Sequence, residues 1–133
     1  MYKHFLMPTD GSQRSEKAIT AGVNLAKLLG AKVTAVFVSE ATYIDQIDSS
    51  RKPLAEEALT FATKLAEEAG VDCTIVSAVG DTPAQTIIEC ATSNGCDVII
   101  MGTHGRTRVG KLLLGSVAAS VLAECDLPVI LYR

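Results

Sequence analysis

The stretch MGTHGRTRVGKLLLGS, residues 101 to 116, carries glycines and cations at spacings that suit a phosphate group. From Gly105 it reads G-x-x-x-x-G-K, the phosphate loop of many NTPases, but Leu112 follows where that loop needs a Ser or Thr to reach Mg²⁺. A second set of glycines fits differently. Gly102 and Gly105 are separated by two residues, and nine more lead to Gly115 and Ser116. A helix opening at Ser116, with Ser116 as its cap, would turn unpaired N–H groups and partial positive charge toward an anion. Between Val98 and Ala123 there is no acidic residue, while Arg106, Arg108 and Lys111 make the segment +3 in a chain of net charge −3. Such polarity suits an anionic ligand, with solvated surface cations as the plainer alternative.

A second chemistry-bearing stretch is PTDGS, residues 8 to 12, where Asp10 and Gly11 form a tight turn and Ser12 opens a helix. Turn and cap chemistry account for these types as well as a ligand contact through Asp10 would. No Ser-His-Asp or Cys-His arrangement is evident, and no carboxylate is poised to activate water. His4 stands at a strand start and reads as structural. Cys73, Cys90, Cys96 and Cys125 form no C-x-x-C pair and have no histidines at metal-ligand spacing, so they read as small hydrophobes in a reducing compartment.

The elements that must position these loops alternate between strand and helix. HFLMP is a short apolar strand; the helix after it runs from a Ser12 cap to Gly30, with Ile19, Val23, Ala26 and Leu29 at helical spacing. KVTAVFVS is apolar and β-branched, as in a strand covered on both faces. EATYIDQIDSSRK has weak periodicity and mixed charge and reads as a loop or lid with at most a helical turn, after which a second helix runs from about Pro53 to Gly70. DCTIVSAVG is the third strand. Thr82, Pro83 and Gln85 then predict a capping box with proline at the first helical position. CDVIIMG, SVAASVLAEC and PVILYR complete the pattern as strand, helix and strand.

This alternation predicts a doubly wound α/β domain spanning residues 1–133, with a parallel sheet and helices on both faces. In an order 3-2-1-4-5, strands one and four are neighbours at the switch point where ligands bind, and both glycine-rich loops follow those strands. Composition agrees: 48% hydrophobic and 20% charged residues describe an ordinary globular chain rather than a disordered one. The net negative charge argues against a general nucleic-acid or anionic-membrane binder. The N-terminus lacks the apolar core of a signal peptide and LLLGSVAASVLA is too short for a bilayer, so the expectation is a cytoplasmic protein without membrane insertion.

PTDGS after strand one, GDTPA opening the third helix, MGTHGRT after strand four, LLLGSVAASVL and the terminal PVILYR together resemble the universal stress protein family in its ATP-binding branch. The resemblance covers essentially the whole chain, and Gly102, Gly105, Gly115 and Ser116 meet every position of that branch's signature. It implies a Rossmann-like five-stranded sheet of order 3-2-1-4-5, a homodimer through the C-terminal strand, and ATP with Mg²⁺ between strands one and four. It also implies that Pro8, Thr9 and Asp10 lie against adenosine and that Val38 contacts adenine. Met101 and Gly102 would approach the ribose or adjacent phosphate, and Gly105, Gly115, Ser116 and Val117 would wrap the phosphates. His104 and Arg106 are further candidates for ligand contact. Thr9 departs from the family's pattern, which more often has an apolar residue there. The function implied is a nucleotide-sensing regulatory module of the stress response, with an unidentified protein partner. A slow ATPase or phosphotransferase using Lys111 or Arg106, and a nucleotide-free dimeric scaffold, are the alternatives.

Overall fold

Five parallel strands and four helices alternate along the chain: β1 (His4–Thr9), α1 (Gln13–Leu29), β2 (Lys32–Glu40), α2 (Ala41–Ala69), β3 (Cys73–Gly80), α3 (Pro83–Ser93), β4 (Val98–Gly102), α4 (Ser116–Glu124) and β5 (Val129–Tyr132). The computed structural model describes residues 2–104 and 114–133, with backbone alone over 40–53. The strand order is β3-β2-β1-β4-β5, as the family resemblance implies.

Side-chain alternation along the central strands builds a core on each face of the sheet. Phe5, Met7, Val33, Ala35 and Phe37 pack against Ile19, Val23 and Ala26 of α1 and Ala58, Ala62 and Ala66 of α2. Leu6, Val36, Ile99 and Met101 point the other way, onto Ala84, Ile87 and Ala91 of α3 and Ala118 and Val121 of α4. Burying each of the Val, Leu, Ile, Phe and Met side chains here stabilises the fold by about 1.5–3 kcal/mol, and the alanines contribute less individually, which makes these two layers its main support. Gly22 lets α1 sit directly on the sheet, because a Cβ there would fall 2.7 Å from Met7 Sδ and 2.9 Å from Ile100 Cγ2.

Local signals explain most element ends. The Ser12 side chain accepts the N–H of Ser15, and Gly30 closes α1 at φ 67°, a left-handed conformation that glycine adopts without a Cβ penalty. Two details differ from the sequence reading. The capping box at α3 does not form: the Thr82 side chain makes no cap hydrogen bond, and Gln85 Nε2 turns instead to Glu89 Oε1 at 3.5 Å. The segment read as a loop or lid is helical, since α2 begins at Ala41 and passes through Pro53. Apolar periodicity reports burial of one face, so a helical stretch without a regular apolar stripe gives no such signal.

At the amino end of the sheet, His4 is buried and its Nε2 lies 2.6 Å from Thr34 Oγ1. Burial, and then the charge of Lys32, hold the His4 imidazolium below its ordinary pKa of 6.5, although Asp97 and the Gly95 backbone pull the other way. Asp97 is itself pushed up by desolvation, but the N–H groups of Lys3 and His4, at 2.8 and 3.0 Å, outweigh this and hold its carboxyl below the usual 3.8.

These shifts act in separate pH windows. As pH falls below 6.5 the unfolded chain takes up a proton that folded His4 resists, so His4 should cost stability from there downward. The Asp97 contribution is present above 3.8 and should be lost as pH drops below that value. Urea denaturation between pH 8 and 5 should show the first decline in the native protein and a flatter profile in His4→Gln. Equal slopes in both proteins would remove His4 from this account.

Candidate functional site

β1 is hydrogen-bonded to β2 along its length, from His4–Lys32 to Thr9–Phe37, whereas its registered pairs with β4 are Phe5–Val98 and Leu6–Ile99. Pro8 has no N–H to donate and lies beyond those pairs, where the two strands head for different loops. At these carboxyl ends, across the switch point, lies a cavity of about 330 Å³.

The loop after β1 folds on its own polar groups. Thr9 Oγ1 accepts the Gly11 N–H at 3.1 Å, and Gly11 takes φ 81°. Asp10 Oδ1 accepts the Ser12 N–H at 2.9 Å and the Ser15 hydroxyl at 2.6 Å. The turn reading of Asp10 therefore holds, and its residue lines the cavity as well. Thr9 earns its hydroxyl by shaping the turn, which accounts for its departure from an apolar type.

After β4 the backbone of Thr103 ties three segments together. Its N–H donates to the Tyr132 carbonyl of β5 at 3.1 Å, and its own carbonyl accepts the Gly115 N–H at 2.6 Å. This corrects the expected cap of α4. Gly115 is the N-cap residue, and Ser116 is the first helical residue. The Gly115 N–H is already engaged, so the N–H groups at the start of α4 without an acceptor within the helix are those of Ser116, Val117 and Ala118. His104 also lines the cavity, with Nδ1 3.3 Å from Thr103 Oγ1.

The structure brings Pro8, Thr9, Asp10, Val38, Met101, Gly102, His104, Gly115, Ser116 and Val117 to this one cavity. Gly105 and Arg106 lie outside the described residues, as do Arg108 and Lys111. Sequence reasoning missed Ser15, Pro83, Ile87, Thr103 and Ala118 as lining residues. Pro83 and Ile87 stand four apart on α3, one turn, and that spacing was the available signal.

Cys73 and Cys90 have thiols raised by burial, and Cys96 is pushed up to about 11, so these sulfurs are poor nucleophiles at neutral pH. Among the described residues, no group of three His, Cys, Asp or Glu could hold a metal ion. Among them, too, no helix is long and apolar enough to cross a membrane.

Fold and cavity together define a doubly wound α/β protein with a crevice at its topological switch point. The chain belongs to the universal stress protein family, whose model matches residues 1–133. Universal stress protein MJ0531 of Methanocaldococcus jannaschii is 34% identical to it over 142 residues, covering 100% of this chain and 83% of that protein. Among solved structures, protein MJ0577 of the same organism is 30% identical with a TM-score of 0.80, covering 98% of this chain and 95% of that one. A universal stress protein from Archaeoglobus fulgidus in complex with dAMP shares the fold, with a TM-score of 0.78 at 22% identity and coverage of 99% and 98%.

Gly80 at the end of β3 and Gly102 in the cavity wall have different reasons to be glycine. A Cβ on Gly80 would overlap Thr86 Oγ1, so Gly80 serves the packing of β3 on α3. A Cβ on Gly102 would meet nothing nearer than the Arg14 and His104 carbonyl oxygens at 3.4 Å, an ordinary contact, and Gly102 has no positive φ. Gly80→Ala should therefore destabilise by about 1–3 kcal/mol in urea denaturation through overpacking. Gly102→Ala should cost less than about 1 kcal/mol. The reverse order would contradict this assignment.

Proposed function

We propose that residues 1–133 form one nucleotide-binding regulatory domain that takes an adenine nucleotide, ATP with Mg²⁺, in the cavity between β1 and β4. The observation that carries this reading is the cavity's division into two kinds of wall. Pro8, Val38, Pro83 and Ile87 supply apolar surface for a base, while the first turn of α4 supplies N–H groups and positive helix-end charge for phosphate. Gly102 lines the cavity, and neither its packing nor its backbone conformation requires glycine there, which suits a place where a ligand approaches the backbone. Asp10 is an acceptor suited to a hydroxyl or amino group of the nucleoside. The dAMP complex of the Archaeoglobus fulgidus protein supports the choice of an adenine nucleotide by analogy of fold.

A regulatory module fits better than an enzyme. The residues gathered at the cavity are suited to holding charge and shape, and His4 lies at the opposite end of β1. Mg²⁺ would neutralise phosphate charge on the bound nucleotide. We further propose that β5, at one edge of the sheet, pairs with its copy in a second subunit, because an apolar edge strand offers unpaired backbone groups.

Isothermal calorimetry with ATP, ADP and AMP tests the first proposal. The native protein should bind at least one of them at micromolar to millimolar concentration, and Gly102→Val, folded by circular dichroism, should bind at least about tenfold more weakly. A native protein that binds none of the three contradicts the nucleotide reading and favours a scaffold. For assembly, deletion of residues 129–133 should convert a dimer to monomer or aggregate in light scattering. A dimer that survives the deletion places the interface elsewhere.

A further inference from the structure

Ser15 is the third residue of α1, is 7% exposed, and lines the cavity. A serine hydroxyl has one hydrogen to donate and two lone pairs to accept with. In Ser15 all three are used. The hydroxyl donates to Asp10 Oδ1 at 2.6 Å, and it accepts the Asp10 N–H at 3.3 Å and the Ser12 hydroxyl at 3.1 Å. It therefore grips Asp10 twice, by side chain and by backbone, and has no hydrogen left to offer a ligand.

Helix capping alone does not account for this arrangement. In a capping box the third helical side chain accepts the N–H of the cap residue. Here the Ser12 side chain does accept the Ser15 N–H, at 3.2 Å, but the reciprocal bond is missing, because the Ser12 N–H goes to Asp10 Oδ1 at 2.9 Å. Asp10 has taken the acceptor's place in the box, and Ser15 is released to hold Asp10. The cap of α1 and the orientation of the cavity's carboxylate are thus one hydrogen-bonded unit.

We infer that Ser15 is a positioning residue of this site: it orients the Asp10 carboxylate toward a hydroxyl or amino donor of the nucleoside, without touching the ligand itself. This rests on the nucleotide reading of the cavity. Positioning of this kind matters because a hydrogen bond to a ligand is worth its full strength only when its acceptor is held in place before binding.

A double-mutant cycle tests the inference. ATP affinity is measured by NMR titration, which reads weak binding, for the native protein, Ser15→Ala, Asp10→Ala and the double variant, each checked for folding by circular dichroism. Ser15→Ala should weaken ATP binding about tenfold in the native background and less than about twofold when Asp10 is already alanine. Ser15→Cys, close in size with a weaker donor, serves if the alanine variant fails to fold, and should show the same dependence on Asp10. A purely structural role would lower the urea midpoint of Ser15→Ala and leave the affinity of the folded protein unchanged, which overturns the inference. An equal loss of affinity in both backgrounds also overturns it, by making Ser15 a direct contact. A native protein that binds no ATP would overturn the nucleotide reading as well, whereas native binding untouched by Ser15 substitution overturns this inference alone.

Discussion

β1 and β4 share the middle of the sheet, yet their chains must leave it in opposite directions, and everything at the site depends on that parting. A right-handed crossover through α1 carries the chain from β1 to β2 on one side, while β4 leads through α4 to β5 on the other. Beyond Leu6 and Ile99 no further β1–β4 pair is registered, and Pro8 occupies the first strand there without a donor to contribute. A proline so near the centre of a sheet would be a defect in a continuous ladder. At a point where the ladder has ended it costs no bond on that side and offers a rigid apolar wall.

The two loops that leave this point are stabilised by different means. The first is held by side chains, through the Thr9, Asp10, Ser12 and Ser15 network. The second is held by backbone, through the Thr103 peptide that joins Tyr132 of β5 to Gly115 at the start of α4. Because Thr103 is bonded on both sides, the edge strand and the opening of α4 are tied to the same short segment. The edge at β5 is thus one hydrogen bond from Thr103 in the cavity wall, although edge and cavity are distinct surfaces.

The alternation of strands and helices and both glycine-bearing loops were legible in the sequence, because each leaves a local mark, whereas the strand order and most of the cavity's residues were implied by the family resemblance. Apolar β-branched runs mark Lys32–Glu40 and Val98–Gly102, and Ser12 and Gly30 mark the ends of α1. What was not legible depends on relations across the chain. Gly115 rather than Ser116 is the cap of α4 because the Thr103 carbonyl, twelve positions earlier, claims the Gly115 N–H. The box predicted at Thr82 and Gln85 does not form: the Thr82 side chain makes no cap bond, and Gln85 Nε2 lies 3.5 Å from Glu89 Oε1 on its own helix. Nothing in the sequence singles out Ser15, whose use is visible when the Asp10 carboxylate is seen folded back onto it. Pro83 and Ile87 reach the cavity by the packing of α3 on the sheet, which the periodicity of α3 alone does not specify.

We propose the crevice between β1 and β4 as the place where this protein binds an adenine nucleotide. The most direct test is a heteronuclear NMR titration of the isotope-labelled native protein with ATP, which reports the position of binding amide by amide. The account predicts saturable shifts concentrated at Asp10, Val38, Gly102 and Ser116 to Ala118, with β3 and the outer face of α1 unchanged. Shifts centred instead on the groove formed by Gln13, Lys17, Phe61 and Tyr132, or no saturable shift at all, would contradict it.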